Sequence, residues 1–190
     1  MGKIVVTEFV SLDGVMEDPG GAEGTPHGGW TIPYWNDEIS EFKKDELFAA
    51  EAMLLGRVTY EGFAAAWPAM TDEAGFADRM NGIAKYVVTS TLDTLTWNNS
   101  TRLEGDGATA VRSLKEQVEG NILVGGSATL VHGLAQHGLV DEYRLVVYPV
   151  SLGGGKRVFA DRTFTKLDLT LEQRTSTGAI LLAYHVQSEP

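Results

Sequence analysis

The chain has 190 residues, of which 43% are hydrophobic and 22% are charged. This length and balance suit a single globular domain over residues 1–190 with a sizeable core. The sequence contains no cysteine, so disulfides, thiolate zinc sites and a cysteine nucleophile are excluded. Its formal net charge of -11 argues against a nucleic-acid partner, because nucleic-acid-binding proteins are normally basic.

The beginning of the sequence does not have the pattern of a targeting segment. Residues 1–6 carry one lysine, and the apolar run that follows is interrupted by Glu8. A signal peptide needs a longer uncharged stretch, and no apolar run approaches membrane-spanning length. We therefore expect a cytoplasmic protein that has no membrane partner.

The first quarter of the chain predicts a strand, a turn, a long loop and a helix. Residues 3–10 are apolar and β-branched, which is typical of a buried strand. Asp13 and Gly14 then predict a turn, in which Asp13 either only makes the turn or also faces a ligand. Residues 17–35 form a long loop whose aromatic side chains either cover the core or pack over a planar ring. Residues 36–49 predict a helix with two lysines on a solvated face.

The second predicted strand, residues 51–55, ends in a glycine that is followed by a helix start near Val58. The first N–H groups of a helix have no partner within it and attract anions. Arg57 by itself indicates a surface ion pair. With Gly56 and Thr59 beside it, anion binding becomes the favoured interpretation.

The third predicted strand, residues 83–88, follows a mixed stretch at 67–82 that holds at most a short helix. Three hydroxyl residues come directly after this strand: Thr89, Ser90 and Thr91. They either bind a phosphate or a ribose, or they form an ordinary Ser/Thr turn. For this segment alone the turn is the favoured interpretation.

A fourth strand at residues 121–124 follows an amphipathic helix at 111–118. The strand leads into two glycines and a hydroxyl, and a second helix pattern begins there. Glycine lets a ligand approach the backbone, and the helix start offers unpaired N–H donors. We interpret this turn as a pyrophosphate site formed by Gly125, Gly126, Ser127, Ala128 and Thr129.

The last quarter of the sequence has the two-residue period of strands. Residues 143–148 predict a strand, and a glycine-rich loop at 151–157 follows it. Residues 167–171 and 180–186 alternate in polarity and predict an antiparallel hairpin. We expect the hairpin and the apolar strand 143–148 to form the surface of a homodimer.

Strands and helices alternate over residues 1–148, which predicts a largely parallel sheet with helices on both faces. The candidate phosphate-binding segments 56–59, 89–91 and 125–129 each follow a strand directly. Ligands of such sheets bind outside the carboxyl ends of the strands. The sequence therefore predicts one ligand site at one edge, although the G-x-G-x-x-G fingerprint is absent.

These motifs resemble known families. The segments Leu54–Tyr60, Val87–Ser90 and Val124–Ser127 are similar to the dihydrofolate reductase-like fold, a three-layer α/β/α arrangement with a mostly parallel central sheet and a C-terminal antiparallel hairpin. Residues 11–14 and 148–155 resemble the C-terminal reductase domain of the riboflavin-biosynthesis protein RibD. The zinc deaminase domain that accompanies it in RibD needs cysteine ligands, which this chain lacks.

The resemblance implies that NADPH is the hydride donor. It assigns phosphates of the cofactor to Gly56, Arg57 and Thr59, the adenosine ribose with its 2′-phosphate to Thr89, Ser90 and Thr91, and the pyrophosphate to Gly125, Gly126, Ser127, Ala128 and Thr129. The family often has a basic residue after its third-strand hydroxyls, where this chain has Thr91-Leu92. The choice between NADPH and NADH is therefore open, with Arg57 as a possible substitute for the missing cation.

The resemblance further implies a pterin-like or ribosylamino-pyrimidine substrate, such as 5-amino-6-(5-phosphoribosylamino)uracil. Ser11, Gly14, Met16 and Trp35 are its expected binding residues, and no metal is expected. Glu38 matches the catalytic carboxylate of dihydrofolate reductases, which hydrogen-bonds the substrate ring and assists proton transfer. Asp13 is the alternative polar contact in RibD-like reductases.

Two other functions are compatible with these motifs. One is a non-catalytic nucleotide-binding protein of the same fold, and the other is a reductase of an unrelated small carbonyl or imine compound. All three hypotheses expect a small-molecule ligand. The two hypotheses in which the protein is a reductase also expect a bound nicotinamide dinucleotide.

Overall fold

The computed structural model of the protein describes residues 1–187. Apolar runs form most of the strands, and amphipathic runs form most of the helices between them. In chain order the elements are β1 (Lys3–Ser11), α1 (Asp37–Phe48), β2 (Ala50–Gly56), α2 (Arg57–Ala66), α3 (Phe76–Gly82), β3 (Ala84–Val88), β4 (Ser100–Leu103), α4 (Gly107–Gln117), β5 (Asn121–Val124), α5 (Ala128–Gln136), β6 (Glu142–Tyr148), β7 (Leu167–Arg174) and β8 (Ile180–Val186). Single 3₁₀ turns occur at Ile32–Tyr34 and Trp67–Ala69.

One compact unit consists of Met1–Val6 and Lys44–Val140. Its strands follow the order β4-β3-β2-β5, with the beginning of β1 beside β5. All of their pairings are parallel. Leu55, Val87 and Leu123 from the strands pack in one buried cluster with Tyr60 and Trp97. Because these strands run in the same direction, their carboxyl ends meet at one edge of the sheet.

The second compact unit consists of Thr7–Lys43 and the residues from Asp141 onward. It holds the rest of β1, helix α1 as far as Lys43, and the strands β6, β8 and β7, which follow one another in that order in the sheet. β8 pairs antiparallel with both β6 and β7, which confirms the predicted C-terminal hairpin. The core of the unit is aromatic, with Trp30 and Tyr148 buried and Phe9 and Tyr34 packed against them.

The protein therefore has a mixed α/β fold, mostly parallel with antiparallel C-terminal strands, as predicted. That residues 1–190 form a single domain stays a prediction, and residues 188–190 lie outside the described part. None of the helices within residues 1–187 combines the length and the apolar character needed to cross a bilayer.

Strand β4 was not predicted. Its four residues, Ser100–Leu103, are polar apart from the last and are half-buried or exposed, so they lack the apolar pattern of a strand. β4 pairs with β3 in parallel although no helix connects the two. Helix α4 also begins four residues before the predicted start, because the Asp106 carboxylate accepts the Thr109 N–H and caps it.

The expectation that strand 143–148 contributes to a dimer surface stays a prediction, and the structure gives the apolar pattern of this strand another cause. The corresponding strand β6 lies between β1 and β8 in the sheet order, and five of its seven residues are buried. An apolar strand is equally typical of an interior position and of an interface, and here the interior position accounts for the pattern.

Candidate functional site

The three predicted phosphate-binding segments follow three neighbouring parallel strands. β2 lies between β3 and β5, and Gly56 at the end of β2 pairs with Val88 at the end of β3. Residues 56–59, 89–91 and 125–129 consequently begin at the same edge of the sheet. The predicted common edge is confirmed.

Two glycines allow the segments 56–59 and 125–129 to pack against each other. A Cβ atom on Gly56 would lie 3.1 Å from Ser127 Oγ, and one on Gly126 would lie 3.1 Å from Thr59 Oγ1. Gly126 has a φ of 83° and its peptide bond to Ser127 is cis. A Cβ on Gly125, in contrast, would have no heavy atom within 4 Å. The two segments thus form a cradle that is open at Gly125.

Helices α2 and α5 begin in this cradle. Gly56 and Ser127 are their N-cap residues, both with extended backbone, and neither cap makes a side-chain hydrogen bond to its helix. The N–H groups of the first turns therefore remain available to an outside acceptor. Two uncapped helix starts beside open space suit the negative charges of a pyrophosphate.

Arg57 is the first residue of α2 and points into solvent. Its Nη1 lies 2.8 Å from Glu61 Oε2, and both side chains are about half-exposed. A surface pair at this spacing contributes little to stability. The guanidinium can therefore exchange Glu61 for a phosphate at small cost.

The segment after β3 contains a Ser/Thr turn. Thr89 Oγ1 accepts hydrogen bonds from the backbone N–H groups of Thr91 and Leu92, each at 3.2 Å. This leaves the side chains of Ser90 and Thr91 exposed. The two alternatives for this segment are therefore compatible, since one hydroxyl makes the turn and the other two face outward.

The turn after β1 is joined to the loop after β6. Ser11 Oγ accepts the Val15 N–H at 2.9 Å and donates to Asp13 Oδ1 at 2.7 Å. Asp13 also accepts the backbone N–H groups of Leu152 and Gly153, at 3.0 and 2.8 Å. These hydrogen bonds, that from Ser11 first, hold the pKa of Asp13 well below its usual range. Asp13 is thus an ionised carboxylate that connects two loops, and we call this set of hydrogen bonds the Asp13 clasp.

The predicted substrate residues Gly14 and Met16 belong to the same clasp. The Gly14 carbonyl accepts the Val158 N–H at 3.0 Å, and the Met16 N–H donates to the Lys156 carbonyl at 2.8 Å. The side chain of Met16 is buried. Ser11, Asp13, Gly14 and Met16 therefore lie together in this turn, and their role in binding a substrate stays a prediction.

Glu38 is held by a different loop. Its Oε2 accepts the Ser176 N–H at 2.7 Å, the Ser176 hydroxyl at 2.6 Å and the Asn36 amide at 2.8 Å. These bonds, led by the one from the Ser176 backbone, lower the pKa of Glu38. All three end on Oε2, so Oε1 has no donor among the described residues.

Lys43 does not lie on a solvated face. It is half-buried, its ammonium donates to the Thr7 hydroxyl, and it lies 5.0 Å from the centroid of the Phe9 ring. Trp35, a predicted substrate residue, packs edge-on against the same ring at 5.5 Å. The spacing of four from buried Ile39 could have indicated this inward position, because residues i and i+4 share a helix face.

Arg102 is a second cation that the sequence did not single out. It lies on the unpredicted strand β4, and its Nη1 donates to the Leu92 carbonyl at 3.2 Å. Only the parallel pairing of β4 with β3 brings it next to residues 89–92. Within residues 1–187 there is no group of three or more histidine, aspartate or glutamate side chains that could hold a metal ion.

Comparison with known proteins agrees with this architecture. The model of the RibD C-terminal domain family matches residues 2–182. The uncharacterized protein YyaP of Bacillus subtilis strain 168 is 26% identical over 187 residues, which are 96% of this chain and 94% of YyaP.

Two solved structures share the fold. A putative riboflavin biosynthesis protein from Shewanella sp. PV-4 has a TM-score of 0.77 at 15% identity, covering 98% of this chain and 99% of that one. Dihydrofolate reductase from Enterococcus faecalis, solved with NADP(H), has a TM-score of 0.62 at 14% identity and covers 98% and 97%. The chain thus has a dihydrofolate reductase-like fold over nearly its whole length.

Proposed function

The chain belongs to the RibD C-terminal domain family, and we propose that it is an NADPH-dependent reductase. Its substrate would be a pterin-like or ribosylamino-pyrimidine compound of the type of 5-amino-6-(5-phosphoribosylamino)uracil. The observation that carries the proposal is the cradle of residues 56–59 and 125–129, in which two uncapped helix starts surround open space at Gly125. The NADP(H) complex of the related dihydrofolate reductase supports the choice of cofactor.

The residues of the cradle suit a dinucleotide. The first-turn N–H groups of α2 and α5 would bind the pyrophosphate, and Arg57 would contribute a mobile positive charge. Ser90 and Thr91, which are exposed after β3, would contact the adenosine ribose and its 2′-phosphate. NADPH, when bound, supplies the hydride.

The two candidate acids have different roles in this proposal. Both oxygens of Asp13 already accept hydrogen bonds from the chain, so Asp13 positions the loop at 151–157. Glu38 has one oxygen engaged by Ser176 and Asn36, whereas Oε1 can accept an N–H from a substrate ring. Because its lowered pKa keeps Glu38 ionised near neutral pH, it would orient the ring, and water would deliver the proton.

The first test is a titration of the protein with NADPH and with NADH, in which fluorescence or calorimetry detects binding. We expect NADPH to bind with a Kd on the order of 1 µM and Arg57→Ala to weaken it several-fold. Arg57→Ala should fold like the wild type, because it removes only an exposed ion pair with Glu61. If the protein binds neither dinucleotide, the proposal is rejected.

Catalysis is tested by NADPH oxidation with a panel of pterins and ribosylamino-pyrimidines. We expect turnover that Glu38→Gln abolishes while NADPH binding is retained, and that Asp13→Asn reduces only through stability. Dinucleotide binding without turnover on any substrate would favour the non-catalytic nucleotide-binding protein. The ionised state of both acids is the observation that favours this second candidate. If the protein turns over only other carbonyl or imine compounds, the third hypothesis, a reductase of an unrelated small compound, would be favoured.

A further inference from the structure

The turn between β7 and β8 lies against the beginning of α1. Ser176 in this turn hydrogen-bonds Glu38, which is 138 positions away in sequence, and Thr177 Oγ1 donates to the Tyr34 carbonyl at 2.7 Å. All of these residues belong to the compact unit that holds β6, β7 and β8. The structure thus joins the C-terminal hairpin to the carboxylate for which we propose a contact with the substrate.

The turn closes without the side chain of Ser176. The Thr175 N–H donates to the Ala179 carbonyl at 2.8 Å, and the Gly178 N–H donates to the Thr175 carbonyl at 3.1 Å. Thr175 is buried, and its hydroxyl donates to the same Ala179 carbonyl at 3.0 Å. Ser176 is exposed. Its hydroxyl is therefore not needed to form the turn and serves contacts outside it.

Ser176 directs two donors to one oxygen of Glu38. Its N–H nitrogen lies 2.7 Å and its hydroxyl oxygen 2.6 Å from Glu38 Oε2. The Asn36 amide donates to the same oxygen at 2.8 Å and to Ser176 Oγ at 3.0 Å. Because an ionised carboxylate only accepts hydrogen bonds, the hydroxyl donates to Glu38 and accepts from Asn36. The three side chains therefore form a closed ring of hydrogen bonds.

The side chain of Asn36 fixes this ring to the helix. Asn36 Oδ1 accepts the Ile39 N–H at 3.0 Å, as the side chain of an N-cap residue does at the start of a helix, and Ile39 is fully buried. With its oxygen engaged in this way, Asn36 has its amide nitrogen left for Glu38. The ring is thus attached to α1 on one side and to the hairpin on the other.

The ring leaves the second oxygen of Glu38 to a ligand. All three donors end on Oε2, so turning the carboxylate away would break all of these bonds. The same donors, led by the Ser176 N–H, lower the pKa of Glu38 against an opposing effect of desolvation. The group is therefore an anion near neutral pH, and the lone pairs of Oε1 can accept a ring N–H.

We propose that Ser176 is a positioning residue for the substrate: its hydroxyl holds Glu38 Oε2, so that Oε1 accepts an N–H of the substrate ring. This role rests on the proposed function. Ser176 itself neither contacts the substrate nor transfers a proton. The hairpin of β7 and β8, which contains none of the site residues predicted from the sequence, thereby contributes to the substrate site.

The first experiment measures the ionisation of Glu38 in the absence of any ligand. The protein is labelled with ¹³C at the glutamate carboxyl carbons and titrated by NMR, and the Glu38 signal is identified by its loss in Glu38→Gln. In Ser176→Ala we expect the pKa of Glu38 to rise towards the ordinary value of 4.5, because one donor to the carboxylate is lost. Ser176→Thr keeps the hydroxyl and should titrate like the wild type.

The second experiment measures NADPH oxidation with the compound of the pterin and ribosylamino-pyrimidine panel that the wild type reduces fastest. Ser176→Ala should lower kcat/KM about tenfold, the effect of one charge-assisted hydrogen bond, and part of this loss should be a rise in KM. A merely structural defect would reduce the folded fraction, which lowers kcat and leaves KM unchanged. Ser176→Thr should keep both constants near those of the wild type.

Thr170→Val is the matched control. Thr170 lies on β7 of the same hairpin, and its hydroxyl donates to the Ala183 carbonyl at 3.1 Å. The substitution removes a hydroxyl with little change in shape and should alter neither the pKa of Glu38 nor KM. The Kd of NADPH should be the same in the wild type, Thr170→Val and both variants of Ser176.

The outcomes separate this role from the proposed function. If the wild type turns over a compound of the panel and Ser176→Ala leaves the pKa of Glu38 or KM unchanged, the positioning role is rejected and the reductase proposal stands. An equal rise of KM in Thr170→Val would also reject the role of Ser176. If the wild type turns over no compound of the panel, the proposed function fails and the positioning role fails with it.

Discussion

Gly125 differs from the neighbouring glycines of the cradle in what surrounds it. A Cβ there meets no heavy atom within 4 Å, and its φ is not in the left-handed range. We therefore expect Gly125→Ala to fold with unchanged stability in urea. The methyl group would occupy the space through which a phosphate reaches the backbone, so NADPH should bind about tenfold more weakly.

Gly133→Ala is the matched control. Gly133 also has no heavy atom within 4 Å of a Cβ, but it lies in the interior of α5. The substitution should raise the free energy of unfolding by up to about 1 kcal/mol, since alanine is the better helix former. It should leave the Kd of NADPH unchanged. Wild-type affinity in Gly125→Ala would contradict the assignment of the cradle to the pyrophosphate.

At the scale of elements, Asp13 links the turn after β1 to the loop after β6. Its folded-state pKa lies below the ordinary value of 3.8, so the unfolded chain takes up this proton first as the pH falls. The stabilisation is complete above about pH 4 and is lost progressively below it. We expect the urea midpoint to fall more steeply from pH 4 to pH 2 in the wild type than in Asp13→Asn.

The control for this pH dependence is Asp45→Asn, which changes an exposed carboxylate on α1. Its urea midpoint should follow the wild-type pH profile. Parallel profiles for the wild type and Asp13→Asn would show that the clasp does not contribute to stability. A role for Asp13 would then have to be shown by a difference in turnover of the substrate panel between the wild type and Asp13→Asn at pH 7.

At the scale of the whole molecule, β7 is the last strand in the sheet order and exposes apolar side chains. Leu169 is 51% exposed and Leu171 is also exposed, and so is Ile180 on the adjoining strand β8. Apolar groups on an edge strand favour association with another chain. We expect a homodimer that uses the hairpin of β7 and β8, observed by gel filtration with light scattering.

Leu169→Lys should convert this dimer to a monomer of about 20.5 kDa, because it introduces a charge into the contact. Ile32→Lys, at an exposed residue far from the hairpin in sequence, should remain dimeric. A wild-type protein that is monomeric at all concentrations would contradict the expectation.

The sequence by itself determined seven of the eight strands, in their order along the chain, and the three segments that follow β2, β3 and β5. These features are local, because an apolar run, a glycine and a hydroxyl are neighbours in sequence and their chemistry does not depend on distant residues. The predicted C-terminal hairpin and the common edge of residues 56–59, 89–91 and 125–129 follow from such patterns.

Only the tertiary structure decided which groups are engaged and which remain available. Asp13 accepts hydrogen bonds from Leu152 and Gly153, 139 and 140 positions away, and Glu38 is held by Ser176. Arg102 reaches Leu92 through a strand whose polar sequence gives no strand signal. Contacts between residues so far apart depend on packing and register, which no local pattern of the sequence contains.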